Sequence, residues 1–305
     1  MKNLTNAQET QFNPNNYSES LTAFARNWQD DEGIACILNF IAPQVPVARR
    51  FEYIQSDTDQ MFYSEQDDIR SSGSSFKRIQ FEGNTVQAKT LNKGLSVRVD
   101  IDDIAGEDWK ERYVHLLLKR LYRNELRRAI QALKTHAQKP AIPWDKNSDF
   151  DTEIRKALLN SANENGFYPN RLLFGEMAWY TRQDYYSNQR NTGARIAAEL
   201  TREGLSEKLL VDETKLLRKQ QLGIQSDETD GYEIFAFFAQ NGLLKDEPSQ
   251  IKRFVTPGVD NNNFQVYLEE STKFVDITVE HYSNIVVTSN KGISLINVKM
   301  DEQQN

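Results

Sequence analysis

The chain has 305 residues, enough to bury a real core and to form two domains or one elaborate one. A net charge of -7 argues against tight binding to phosphate backbones, which draws on clustered Lys and Arg, and the single cysteine excludes an intrachain disulfide and any cysteine-rich zinc site. No hydrophobic signal segment opens the chain and the apolar run 34–41 is too short to cross a membrane, so the expectation is a protein made and used in the cytosol.

Residues 1–24 are mostly Asn, Gln, Ser, Thr and Glu with little apolar periodicity, a composition that reads as an arm ordered only by a neighbour. From 28 to 47 a helical or turn segment leads through Pro43 and Pro46 into strand-like and polar residues, and Cys36, inside the apolar run, is expected to pack in the core. Phe51, Tyr53, Met61, Phe62 and Tyr63 on the way out, and Phe76, Ile79, Phe81, Val86 and Leu91 on the way back, flank Ser71-Ser72-Gly73-Ser74-Ser75. That pattern predicts a long two-armed β excursion. Asn92-Lys93-Gly94 is a turn signal, after which Leu95, Val97, Val99 and Ile101 alternate with Ser96, Arg98 and Asp100 as a strand packed on one face should.

Between Gly106 and Pro140 lie helix formers with Glu107 and Asp108 at the amino end, predicting one long helix. At 100° per residue, Trp109, Tyr113, Leu116, Leu117 and Leu121 share one side, while Leu126, Ile130, Leu133 and Ala137 share a side roughly 180° away. A helix that changes its apolar face packs on different elements at its two ends, as a spine would. Arg120, Arg123, Arg127 and Arg128 on it read as a solvated or subunit-contacting face rather than a nucleic-acid face.

Beyond Pro143, Phe150, Ile154, Leu158 and Ala162 predict a short amphipathic helix stopped near Gly166. A mixed module follows, with buried strands at 171–175 and 233–239 and helices at 177–186 and 194–200. From Phe254 onward the pattern is β: Val275, Ile277 and Val279, then 285–287, an Asn290-Lys291-Gly292 turn, and Ile293, Leu295, Ile296 and Val298.

Chemistry-bearing patterns are absent. His115 and His136 would sit about 30 Å apart on one helix, too far to share a metal. Asp67-Asp68, Asp102-Asp103 and Glu269-Glu270 pair carboxylates, but strand neighbours point to opposite faces and acidic pairs at loop ends ordinarily cap helices or face solvent. There is no Walker-type glycine loop, Gly-x-Ser-x-Gly elbow, dinucleotide fingerprint or His-Glu-x-x-His, and Gly73 with its serines opens no apolar helix. No catalytic, cofactor-binding or metal-binding residue is assigned.

Polar arm, long β excursion, strand, spine helix and mixed module returning through strands is an order of elements that resembles the major capsid protein of tailed bacteriophages, with the Hong Kong 97-type fold shared with encapsulin shells. Arg70-Ser71-Ser72-Gly73-Ser74-Ser75-Phe76 is similar to the tip of that family's extended loop, Leu95-Ser96-Val97-Arg98-Val99-Asp100 to the strand before its spine helix, Gly166-Phe167-Tyr168-Pro169-Asn170-Arg171-Leu172-Leu173-Phe174-Gly175 with Trp179 to the opening of its axial domain, and 274–298 to its closing strands. The resemblance implies an α+β chain with an arm (1–27), a peripheral domain holding the spine helix (28–47, 100–148, 265–290), an extended loop (48–99) and an axial domain (149–264, 291–305). It implies a non-enzymatic protein of the virion, assembled in the host bacterial cytoplasm into hexamers and pentamers of an icosahedral head. A portal, possible decoration proteins and packaged DNA held without tight specific binding would be its partners. Members of that family with a built-in scaffold begin with a long helical segment and here only a short polar one precedes the body, so a separate scaffolding protein is expected. Some capsids of this fold lock by an isopeptide bond from a loop lysine; Lys77, Lys89 and Lys93 lie in that region, but lysines on exposed β arms ordinarily solubilise an edge, and noncovalent locking is expected. The alternatives are an encapsulin-type cellular shell protein, disfavoured by the polar arm, and a soluble α/β enzyme, for which no convergent polar pocket residues stand out.

Overall fold

The computed structural model describes residues 16–55, 69–70, 72–73, 75, 84–104, 106–138, 149–223, 231–242, 244–245, 247–289 and 291–298. In chain order its elements are α1 (Glu19–Arg26), α2 (Ile34–Ile41), β1 (Gln44–Pro46), β2 (Arg50–Gln55), β3 (Asn84–Lys89), β4 (Leu91–Asp100), α3 (Trp109–His136), α4 (Phe150–Asn165) and β5 (Arg171–Gly175). Then come α5 (Glu176–Ser187), α6 (Thr192–Glu199), α7 (Arg202–Leu209), β6 (Glu213–Leu217), α8 (Lys219–Leu222), β7 (Glu233–Phe237), β8 (Ile251–Thr256), β9 (Phe264–Glu270), β10 (Phe274–Val287) and β11 (Ser294–Asn297). Contacts divide the chain into two units: Met1–Gln29, Asn92–Leu121 and Pro257–Tyr282 form one, and Asp30–Leu91, Tyr122–Thr256 and Ser283–Asn305 the other.

In the first unit β10 lies between β9 and β4, paired with β9 antiparallel from Val275↔Glu270 to His281↔Phe264. The side chain of Ser18 caps α1 by accepting from the Leu21 N–H, and Thr22 Oγ1 accepts from the Val266 N–H at 3.1 Å, so α1 is tied to β9. Residues 19–26 are therefore a packed helix rather than part of an unstructured arm; eight residues of amphipathic pattern are too few to stand out in so polar a composition. Residues 1–15 lie outside the described ones. Asn92-Lys93-Gly94 is likewise not a turn but part of β4. Gly94 serves close approach instead: a Cβ there would lie 2.9 Å from Val279 O. The side chain of Asn92 donates to Glu280 Oε2 at 2.8 Å. The alternation holds through Val99, while Ile101 turns outward into a 3-10 turn.

In the second unit β2 and β3 form the base of the predicted excursion, in antiparallel register from Arg50↔Lys89 to Gln55↔Asn84, with Phe51 and Tyr53 facing Phe254 at ring separations of 4.5 and 5.6 Å. Its outer part, including Met61, Phe62, Tyr63, Phe76, Ile79 and Phe81, lies outside the described residues. A four-stranded sheet, β11-β7-β5-β6, is parallel only between β5 and β6. Alternate residues along it enter two cores. Leu173, Phe235, Leu217 and Leu295 pack with α2 and the second half of α3, whereas Leu172, Phe174, Ile234 and Ile296 pack with α4 to α7. Cover on both faces is why β5 and β7 read as unbroken apolar runs.

Helix α3 is one helix, as its composition predicts, but its stripe differs from the predicted one. Val114, Leu117, Leu118 and Leu121 are buried in the first half and Leu126, Ala129, Ile130 and Leu133 in the second. At 100° per residue the second stripe is rotated by roughly 120°, not 180°, from the first. Leu116, assigned to the stripe, is 51% exposed, and Val114 and Leu118 take its place. The division between units falls at Leu121 and Tyr122, where the stripe turns. Leu126→Ala is expected to destabilise the protein by about 2–5 kcal/mol and Leu116→Ala by less than about 1 kcal/mol. Guanidinium unfolding of the two variants checks this; equal losses would refute the turned stripe.

Candidate functional site

Residue types able to carry chemistry have local structural partners. His115 Nδ1 accepts from Trp28 Nε1 at 2.8 Å, and His136 Nδ1 lies 2.9 Å from Ala132 O one turn back on α3. The Asp102 N–H donates to Asp100 Oδ1 in an exposed 3-10 turn, and Glu270 pairs with Lys110 at 2.7 Å. Asp67, Asp68 and Lys77 lie outside the described residues, and Gly73 sits in an open turn at φ +84°. Lys89 is exposed on β3, and Lys93 lies within β4. Among the described residues no group of three or more His, Cys, Asp or Glu could hold a metal ion, and no helix is long and apolar enough to cross a membrane. Cys36 is exposed, against the expectation of core packing: α2 buries Ile34, Ile37, Leu38, Phe40 and Ile41 and turns Cys36 outward, where Lys215 Nζ donates to its Sγ at 3.0 Å.

Sequence reading missed a buried ionic cluster that joins α4 to α7. Asp149 caps α4, its Oδ2 accepting from the Thr152 N–H and hydroxyl, and Asp151 lies in the first helical turn, where the dipole favours a carboxylate. Arg182 from α5 grips Asp151 with Nε at 2.7 Å and Nη2 at 2.9 Å, donates from Nη1 to Ala197 O of α6 at 3.1 Å, and lies over the Trp179 and Tyr186 rings. Lys208 of α7 reaches Asp151 Oδ2 at 2.7 Å. The Tyr186 hydroxyl donates to Asp149 Oδ1 and accepts from the Asp151 N–H. Burial, with the Asp151 and Asp149 carboxylates beside it, pushes that hydroxyl far above the ordinary tyrosine range. Burial would raise the Asp149 carboxyl too, but bonds from Thr152 and Tyr186 and the charge of Lys208 outweigh it and hold it below the ordinary value. Arg182 and Asp151 are 0% and 1% exposed, so the centre of the cluster is sealed in packing, with Asp149 and Lys208 at its exposed edge. The available signal was an arginine set between Trp179 and Tyr186 on one helix face.

The spine arginines divide. Arg123 pairs with Glu32 at 2.5 Å, Arg128 with the buried Glu125 at 2.6 Å, and Arg127 donates to the carbonyls of Leu222 and Gly223 that end α8; Arg120 is exposed, with no partner among the described residues. Glu125 also accepts from Ser283 Oγ at 2.8 Å. Behind them Arg253 donates to Asn39 and Gln44, and its burial, opposed by Tyr122 and Glu125, lowers its pKa.

No known family profile matches the chain, and no curated protein matches it in sequence. Solved structures do. A phage-related protein from Bordetella bronchiseptica RB50 superposes with a TM-score of 0.68 at 17% identity, covering 92% of this chain and 96% of that one. The chain has the Hong Kong 97-type capsid fold. A structure from Microbacterium phage Oxtober96 is similar at a TM-score of 0.52 and 11% identity over 85% of this chain and 90% of that one, and a virus-like particle from Pyrococcus furiosus at 0.50 and 11% over 91% and 96%. Within this capsid fold the ionic cluster holds the mixed module together, so breaking it is costly. Asp151→Asn strands a buried guanidinium and is expected to cost about 3–5 kcal/mol, whereas Glu153→Gln, which breaks the exposed pair with Lys156, costs at most about 1 kcal/mol. Denaturant unfolding decides, and similar losses would show that the cluster is not structural.

Proposed function

We propose that the chain is the major subunit of an icosahedral phage or prophage head, which works by self-assembly and without catalysis. What carries this reading is the match of fold over nearly the whole length of the phage-related protein, 92% of this chain on 96% of that one, rather than over a single module. The likeness to a virus-like particle agrees with a shell-forming role. The subunit is built as an arm (1–27) whose helix α1 docks on β9, a peripheral domain with α3 (28–47, 100–148, 265–290), an extended loop (48–99) and an axial domain (149–264, 291–305). The antiparallel base at 50–55 and 84–89 supports the loop, and the sheet β11-β7-β5-β6 with α4 to α7 supports the axial domain. Hexamers and pentamers form with a separate scaffold and a portal in the host cytoplasm, decoration proteins join where present, and the shell then encloses double-stranded DNA.

The enclosed DNA is held without a tight protein contact. The net charge of -7 works against counterion release on an inner wall, and Arg123, Arg127 and Arg128 are committed to Glu32, to the end of α8 and to Glu125. Negative-stain electron microscopy of the expressed chain tests the proposal, alone and with a candidate scaffold from the same source. Closed shells of uniform diameter are expected. A chain that stays monomeric in both preparations would sink the reading, and shells that enclose a co-purifying enzyme rather than DNA would move it to a cellular shell.

A further inference from the structure

Leu210 stands out on two counts. It ends α7 in the left-handed region, at φ 58° and ψ 40°, and its side chain is 80% exposed. The turn is a Schellman-type stop, with the Leu210 N–H on Glu207 O at 3.3 Å and the Val211 N–H on Ser206 O at 3.0 Å. That position strongly favours glycine, because a Cβ there crowds the backbone. Among the described residues the other non-glycine ones at positive φ are Asp260 and Asn261, which are types that tolerate it. A leucine gains nothing for this turn that glycine or asparagine would not give, and its apolar side chain recovers little burial, being 80% exposed. Strain together with exposure at one residue indicates a contact made outside the subunit.

We propose that Leu210 is an apolar knob that seats in a second copy of this chain. The inference rests on the shell reading above. The neighbouring surface selects the occupant. Next to Leu210, between α7 and β6, a groove of about 380 Å³ is lined by Arg202 and Lys215 but also by Glu203, Glu207, Asp212 and Glu213. Four carboxylates against two cations repel a nucleic-acid backbone or an anionic surface. They suit a protein surface carrying both signs, as another copy of this one does. A knob repeated on every subunit also needs a receptor present in equal number, and in a shell of one chain the next copy supplies it through a head-to-tail contact.

Leu210→Asn and Leu210→Gly test this, since both residues accept the left-handed turn and neither is apolar. Sedimentation velocity of the full chain reads the concentration at which half of it is assembled, and thermal unfolding reads the free subunit. The expected result is a half-assembly concentration raised about tenfold or more, the equivalent of burying one leucine side chain, with an unfolding temperature equal to or above that of the parent. A photo-crosslinking amino acid at 210 should join two copies of the chain. Unchanged assembly, assembly lost together with subunit stability, or crosslinks only to a different protein would each overturn the proposal. An assembling parent with indifferent variants sinks this contact alone, whereas a parent that never assembles sinks the shell reading and the contact with it.

Discussion

A helix buried along one line repeats that line every 3.6 residues, and α3 does not. Its first half buries Val114, Leu117, Leu118 and Leu121, its second half Leu126, Ala129, Ile130 and Leu133, and the stripe turns by roughly 120° between them. One rod can then contribute to two cores without a break in its hydrogen bonding. The turn has a cost at Glu125, which sits where the stripes meet and is almost fully buried; Arg128 and Ser283 make that carboxylate tolerable. Arg253 on β8, beside Glu125, and its amide partners Asn39 and Gln44 extend the same polar knot. Such a knot adds little net stability compared with apolar packing, but it can fix which helix face meets which strand.

The same logic governs the sheet β11-β7-β5-β6. With both faces covered, a charged side chain on its central strands needs a partner at the strand ends, as Arg171 of β5 finds in the Phe40 carbonyl and Asn241 and Glu233 of β7 in Lys134, while a larger ionic set meets among the covering helices. Asp149 and Asp151 at the start of α4, Arg182 on α5, the Ala197 carbonyl on α6 and Lys208 on α7 meet there and tie four short helices together. Short helices are marginal alone, and this shared cluster gives them a common anchor that surface pairs such as Arg98 with Asp276 do not provide.

Much of this was legible in the residues. The order of elements, the length of α3, the Gly166 stop and the buried runs in β5 and β7 all follow from periodicity and from the glycines and prolines that bound them. What misled was local evidence overridden by contacts distant in sequence. Asn92-Lys93-Gly94 has turn chemistry, but the backbone of Val279 passes so close that glycine is needed within a strand. Cys36 sits in an apolar run, but the run is a helix with an outer face. Leu116 fits a stripe drawn from Trp109, but the stripe runs through Val114 and Leu118 instead. The ionic cluster was invisible because its partners lie up to 57 residues apart, and a buried arginine looks the same in sequence as an exposed one. Of functional chemistry the residues held no pattern, and the shell reading came from the order of elements, not from any site.

Helix α3 is one unbroken helix that buries two different stripes along its length. Native-state hydrogen exchange of the protein tests the rod most directly. If one continuous helix carries both stripes, the amides from Val114 to Leu133 exchange slowly as a block, with Tyr122, Arg123 and Asn124 included even though their side chains are only half-buried. Fast exchange confined to 122–125 would contradict this, because it would make α3 two helices joined by a hinge.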